Sequence, residues 1–213
     1  MPAGKFITLE GGEGAGKSTQ AKVLRDKLAD YGYDVVLTRE PGGSPRAEAI
    51  RALLLSGKAK RFGPMGETLL FYVARDSHLE LTIRPALARG SWVVCDRFHD
   101  STRAYQGAAG GASMAAIDAL ERIVVGQTMP DLTLILDLPP EEGLKRAAAR
   151  AGSEGQETDR FEAMSLRFHQ NLREEFLEIA KAEPWRCVVI NASQPPEKVA
   201  SDIWAAVCKH FDL

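Results

Sequence analysis

Nine consecutive residues, Gly11-Gly12-Glu13-Gly14-Ala15-Gly16-Lys17-Ser18-Thr19, set glycines, a lysine and two hydroxyls at the spacing G-x-x-x-x-G-K-[ST]. Glycines let a backbone turn its N–H groups inward around an anion, and Lys17 adds a mobile positive charge to that nest. A helix opening near Ser18 points the positive end of its dipole at the same spot. This is chemistry for nucleotide phosphates, with the Ser18 hydroxyl placed to ligate a magnesium ion. Two charged clusters follow other short apolar runs: Arg39-Glu40-Pro41-Gly42-Gly43, and Asp96-Arg97 after Trp92-Val93-Val94-Cys95. Asp96 has the form of the acidic residue that supports magnesium in phosphate-loop proteins. Its plainer reading is a loop cap, and Asp137 ends a second apolar run in the same way.

The reaction class follows from the remaining charge. A guanine-reading Asn-Lys-x-Asp element is absent. An ATPase needs a residue that activates water, whereas this chain shows a surplus of arginines at loops and helix faces: Arg39, Arg51, Arg75, Arg97, Arg146, Arg150 and Arg160. Transfer between two phosphates needs little acid or base help, because the acceptor is already an anion and the difficulty is like-charge repulsion. Planar guanidinium forks answer it by clamping phosphate oxygens, and a mobile lid can bring some of them in after substrate binds. The pattern favours a nucleoside monophosphate kinase over a hydrolase. Phe71 and Arg75 lie four apart, so one helix face can offer a ring for a base to stack on and a donor for its edge.

Strands and helices alternate along the chain, which predicts βαβ units and a parallel sheet. The predicted strands are 5–10, 34–38, 92–96, 132–138 and 187–190. Helices are predicted over 17–31, 46–56, 66–89 with a kink at Pro85, 113–127, 140–150, 159–182 and 196–210. Residues 98–111 read as a loop-rich passage, and the small polar run 151–158 as mobile. In an open parallel sheet, ligands bind beyond the carboxyl ends of the strands. The phosphate loop, Arg39, Asp96-Arg97 and Asn191 should therefore share one edge.

The chain has 213 residues, a formal net charge of −2 and 26% charged residues. That suits one α/β domain over 1–213, with a lid at about 146–160, and small phosphorylated ligands in place of nucleic acid. Cys95, Cys187 and Cys208 lack C-x-x-C spacing and read as buried reduced thiols. His78, His99, His169 and His210 show no ligand spacing. The first residues lack a signal-peptide core, and no apolar run approaches the roughly 18 residues of a membrane span. A cytoplasmic location with no membrane partner is expected.

With these residues in view, the chain resembles a bacterial thymidylate kinase over essentially its whole length. The resemblance rests on 6–19, Thr38-Arg39-Glu40-Pro41-Gly42-Gly43, Leu70-Phe71 with Arg75, Asp96-Arg97-Phe98 with Asp100-Ser101, Ala104-Tyr105-Gln106-Gly107, and Asp159-Arg160-Phe161-Glu162. It implies an α/β phosphate-loop nucleoside monophosphate kinase fold, with a five-stranded parallel sheet flanked by helices and a mobile lid. The implied reaction carries the γ-phosphate of ATP to dTMP, giving dTDP, with Mg2+ as cofactor. The alternatives are a kinase for another pyrimidine monophosphate such as dUMP, or a non-catalytic nucleotide-binding switch. In matching positions, Phe71 would stack on thymine, Arg75 and Gln106 would bond its edges, and Ser101 would lie near the base pocket. Arg39, Arg51 and Arg97 would hold the dTMP phosphate or its loops. Glu13 would approach the sugar 3′-hydroxyl, and Tyr105 would sit where a ribose 2′-hydroxyl should go. Ser18 and Asp96 would serve magnesium. Family members supply an arginine either within the phosphate loop or from the lid. With Ala15 in the loop, this chain resembles the lid type, Arg150 first and Arg146 or Arg160 as alternatives. Arg146 would otherwise flank adenine, with 191–194, beginning at Asn191, as the other wall. Phe98 replaces the family's usual tyrosine, and 152–157 lengthens the lid. The family forms homodimers, for which the apolar faces around 50–54 and 69–81 are candidates.

Overall fold

The computed structural model describes residues 4–154 and 161–213. Its centre is β1 (Phe6–Glu10), an unbroken run of buried residues. Such a run fits only a strand covered on both faces. β1 pairs in parallel with β3 (Trp92–Asp96) on one side and β4 (Leu132–Asp137) on the other. β2 (Val35–Arg39) and β5 (Cys187–Asn191) complete the sheet in the order β2-β3-β1-β4-β5.

Alternation along the strands sorts the core into two layers. Ile7, Leu9, Val94, Leu134 and Leu136 face Leu24 and Leu28 of α1 (Lys17–Asp30) and Ile203 and Val207 of α9 (Pro196–Phe211). Phe6, Val93 and Cys95 face Tyr72 of α3 (Gly63–His78) and Leu79 and Ile83 beyond it. On that second side Ile135 meets Phe168, Leu172 and Phe176 of α8 (Leu166–Ala182). The register sets Arg39 beside Asp96, Asp96 beside Leu9, and Asp137 beside Asn191, so the charged strand ends lie along one edge.

Several local expectations change. Residues 98–111 are not loop-rich: α5 (His99–Thr102) runs into a π-helical turn over Arg103–Ala108. The helix escapes apolar periodicity because its inward face is polar. Asp100 is fully buried and held bidentately by Arg186 at 2.8 and 2.9 Å. The helix expected over 66–89 starts at Gly63, with Pro64 in its first turn, and passes through a π-helical turn at Leu79–Ile83 into α4 (Arg84–Ala88). The irregular turn immediately precedes Pro85, whose ring cannot accept a regular preceding turn. A 3-10 turn at Lys58–Phe62, unmarked by any pattern, joins α2 (Pro45–Leu55) to α3. α6 (Met114–Val124) stops short of Gln127. α7 (Pro140–Glu154) continues past Arg150 into the polar run. α8 begins at Leu166, capped by Ser165, rather than at 159. Asp159 and Arg160, with 155–158 of the expected lid, lie outside the described residues.

Cys95 and Cys187 are buried, whereas Cys208 is half-exposed on α9, and all three are free thiols. Of the two candidate interface faces, the one around 50–54 packs Leu54 fully buried against Phe71, with Ile50 partly buried beside it. Leu69, Val73 and Leu81 face outward. No helix among the described residues is long and apolar enough to cross a membrane.

Candidate active site

At the carboxyl edge of the sheet opens a cleft of about 780 Å³. Its walls include Glu13, Lys17, Ser18, Arg39, Arg51, Phe71, Arg75, Asp96, Arg97, Ser101, Tyr105, Gln106 and Arg150. Gly14, Gly16 and Thr19 also reach it, whereas Gly11 and Gly12 take part through their carbonyls and Ala15 is buried in the core. The loop must pass tightly over α7: a Cβ on Gly14, at φ +69°, would lie 2.0 Å from the Gly143 carbonyl. Gly143 is thus a support for the loop that no motif revealed.

Lys17 is buried and donates to the Gly12 carbonyl at 2.7 Å. Burial, reinforced by Arg97, pulls its ammonium down to about 8. The Ser18 hydroxyl donates to Asp96 Oδ2. A hydroxyl and a carboxylate oxygen therefore converge beside Lys17, the hard-oxygen pair suited to a magnesium ion that keeps phosphate oxygens and waters as its other ligands. Asp137, the rival strand-end carboxylate, is instead bound bidentately by Arg173 at 2.6 and 2.9 Å. Among the described residues, no group of three or more His, Cys, Asp or Glu side chains could hold a metal.

The middle of the cleft is organised by Arg97, whose backbone is left-handed at φ 69°. Its guanidinium donates to Glu13 Oε1 at 2.9 Å, to the Gly11 carbonyl at 3.0 Å and to Ser101 Oγ at 3.2 Å, and lies over the Tyr105 ring. Tyr105 OH donates to the same Glu13 oxygen at 2.7 Å. Burial works against the charge on Glu13, but Arg97 and Lys17 outweigh it and hold the carboxyl at about 2.

Arg75 is only 2% exposed, and its Nε donates to Glu40 at 2.8 Å. Its Nη2 is shared between the Phe98 carbonyl and Thr102 Oγ1, leaving Nη1 buried without a partner. An orphaned guanidinium donor beside Phe71 is a position for a ligand acceptor. Glu40 was legible only as part of a charged loop. It also accepts from His78, whose other ring nitrogen bonds Thr38 Oγ1. Gln106 reaches Glu67 at 3.4 Å. Arg39 is half-exposed and pairs with Glu48 at 3.1 Å, while Arg51 donates to the Pro41 carbonyl at 2.7 Å.

Arg150 enters the cleft from α7 and donates to Glu162 at 2.8 Å. Arg146, one turn earlier, points away from it and donates to the Ala192 carbonyl at 3.0 Å. It thus joins the 191–194 turn, where the Ser193 N–H bonds the Asn191 side chain, and neither Arg146 nor Asn191 lines the cleft. Arg160 lies outside the described residues.

A parallel sheet of this order, with a phosphate loop and a cleft of converging arginines at its carboxyl edge, defines a phosphate-loop nucleoside monophosphate kinase. A sequence model of the thymidylate kinase family matches residues 9–203. Thymidylate kinase from Caulobacter vibrioides is 56% identical over 213 residues, covering all of both chains. That of Bradyrhizobium diazoefficiens is 56% identical over 204 residues, 96% of this chain and 89% of its own. A crystal structure of thymidylate kinase from Ehrlichia chaffeensis superposes with a TM-score of 0.76 at 34% identity, covering 97% of this chain and 99% of its own. The chain belongs to the thymidylate kinase family.

Glu10 was missed altogether because it reads as the end of an apolar strand. It is fully buried, and burial together with Asp100 pushes its carboxyl up to about 7, against the pull of Ser101 and Arg97. A raised carboxyl binds its proton more tightly in the folded state, so its effect on stability worsens as pH rises from about 4.5 through 7. Glu10→Gln removes that slope: relative to the parent, the variant should gain about 3 kcal/mol between pH 4.5 and 8. Urea unfolding of both proteins across that range checks it, and parallel pH dependences would refute it.

Proposed function

We propose that the cleft carries the γ-phosphate of ATP to dTMP, with the donor at the phosphate loop and the acceptor between Phe71, Arg75 and Tyr105. The observation that carries this arrangement is the Arg97–Glu13 contact, which ties the loop for one substrate to the wall for the other. Thymidylate kinases phosphorylate dTMP to dTDP, and family membership assigns that reaction to this chain.

The loop amides and Lys17 hold the donor phosphates. Ser18 and Asp96 would hold magnesium, which when bound would supply positive charge against the donor phosphates. A dTMP phosphate oxygen attacks the γ-phosphorus in line as the bond to the ADP oxygen breaks, so no proton needs to be removed from the nucleophile. Arg97, with Arg39 and Arg51 on the opposite wall, offsets the repulsion between the two anions. Phe71 offers its ring to thymine, the partnerless Nη1 of Arg75 donates to a base carbonyl, and Gln106 bonds the other edge. Glu13 accepts the sugar 3′-hydroxyl, while the Tyr105 ring occupies the space a 2′-hydroxyl requires. Arg150 supplies the positive charge that Ala15 does not. Arg146 and the 191–194 turn, outside the cleft itself, border the adenine where ATP extends beyond the phosphate loop. A second copy of the chain covers Leu69, Val73 and Leu81.

Phosphorylation of dTMP, dUMP, dCMP and dGMP at equal concentration tests the assignment. dTMP should be the best acceptor, with dUMP about 10- to 200-fold behind because one methyl group is worth about 1–3 kcal/mol in an apolar pocket. A better acceptor among the other three would overturn it. Arg150→Ala should lower kcat roughly 100-fold or more with little change in the KM for dTMP. An unchanged kcat would remove Arg150 from the transfer step.

A further inference from the structure

In its ionised form Glu10 commits both oxygens, and both partners lie in the turn that follows Arg97. Oε1 accepts from the Phe98 backbone N–H at 2.7 Å, and Oε2 accepts from the Ser101 hydroxyl at 2.5 Å. Ser101 Oγ in turn accepts from Arg97 Nη1 at 3.2 Å, so its single proton is directed at Glu10. Arg97, immediately before Phe98, holds a left-handed backbone, φ 69°, a costly conformation for a non-glycine residue that persists only where neighbours over-determine it. Asp212 at the chain terminus is the only other such residue among those described. The Arg97 N–H is bonded to the Leu9 carbonyl at 3.0 Å, so the last two residues of β1 grip the turn on both sides of its strained residue. A carboxylate taken wholly out of water is an expensive way to fill core volume. Its position makes sense as an acceptor for the two donors of the Arg97 turn.

We infer that Glu10 is a positioning residue for phosphoryl transfer: its carboxylate clamps the Phe98 N–H and the Ser101 hydroxyl, and thereby aims the Arg97 guanidinium across the cleft at Glu13. Glu10 does not line the cleft and so acts through Arg97 rather than on substrate. The inference rests on the role given to Arg97 above.

A double-mutant cycle separates positioning from a general structural contribution. Glu10→Ala should lower kcat about 30-fold when Arg97 is present and less than about threefold in an Arg97→Ala background, because misaiming an absent guanidinium costs nothing. The KM for ATP should stay within about twofold in both single variants. If Glu10→Ala does not fold, Glu10→Gln keeps the volume but exchanges one acceptor for a donor facing Ser101 or Phe98. Its loss should then be about tenfold, and again confined to the background that retains Arg97. Equal fold-losses with and without Arg97 would overturn the positioning role, as would full activity of either Glu10 variant. Full turnover by Arg97→Ala alone would instead overturn the role of Arg97 itself.

Discussion

A single arginine in a left-handed turn holds this site together. Arg97 follows the last residue of β3, and its strained backbone turns the side chain back over the sheet edge instead of along the strand direction. From there the guanidinium touches the Gly11 carbonyl at the start of the phosphate loop, Glu13 within it, Ser101 on α5 and the face of Tyr105. The phosphate loop and the helical stretch after β3, far apart in sequence, meet on one planar cation. A lysine could not replace it, since the contacts require several fixed donors and a flat face for stacking.

Burying so much charge costs desolvation, and buried ion pairs are poor sources of stability. Here the charges form a continuous series. Glu13 is held ionised by Arg97 and Lys17, while Lys17 is itself depressed by burial and by Arg97. Behind them Asp100, kept at about 2 although burial opposes it, is matched by His99 and Arg186. The arrangement gives preorganised dipoles and charges fixed by buried partners, which cost little reorganisation as phosphoryl charge develops.

The phosphate loop, the five strands and the convergence of their charged ends were legible because each follows from a local rule: glycine spacing, apolar runs, and ligands at strand carboxyl ends. Asp96 and Asp137 looked alike in sequence, and only the contact with Ser18 in one case and the fork of Arg173 in the other tells them apart. α5 was read as loop because a helix that turns Asp100 and Ser101 inward has no apolar stripe. Glu10 and Gly143, and the role of Glu40 within its charged loop, were illegible for a related reason. Each serves a neighbour brought close only by the fold: the Arg97 turn, the phosphate loop and Arg75 respectively. Arg146 and Arg150 share a helix and differ by four positions, yet one faces the 191–194 turn and the other the cleft.

If Glu13 carries the acceptor side of the Arg97–Glu13 bridge by accepting the dTMP sugar hydroxyl, removing its carboxylate should injure the acceptor side far more than the donor side. Steady-state kinetics of Glu13→Ala with both substrates varied is the most direct measurement. The account predicts kcat/KM for dTMP at least about tenfold lower, with the KM for ATP within about threefold of the parent. A raised KM for ATP with dTMP kinetics unchanged would contradict it, and would make Glu13 a residue of the donor loop only.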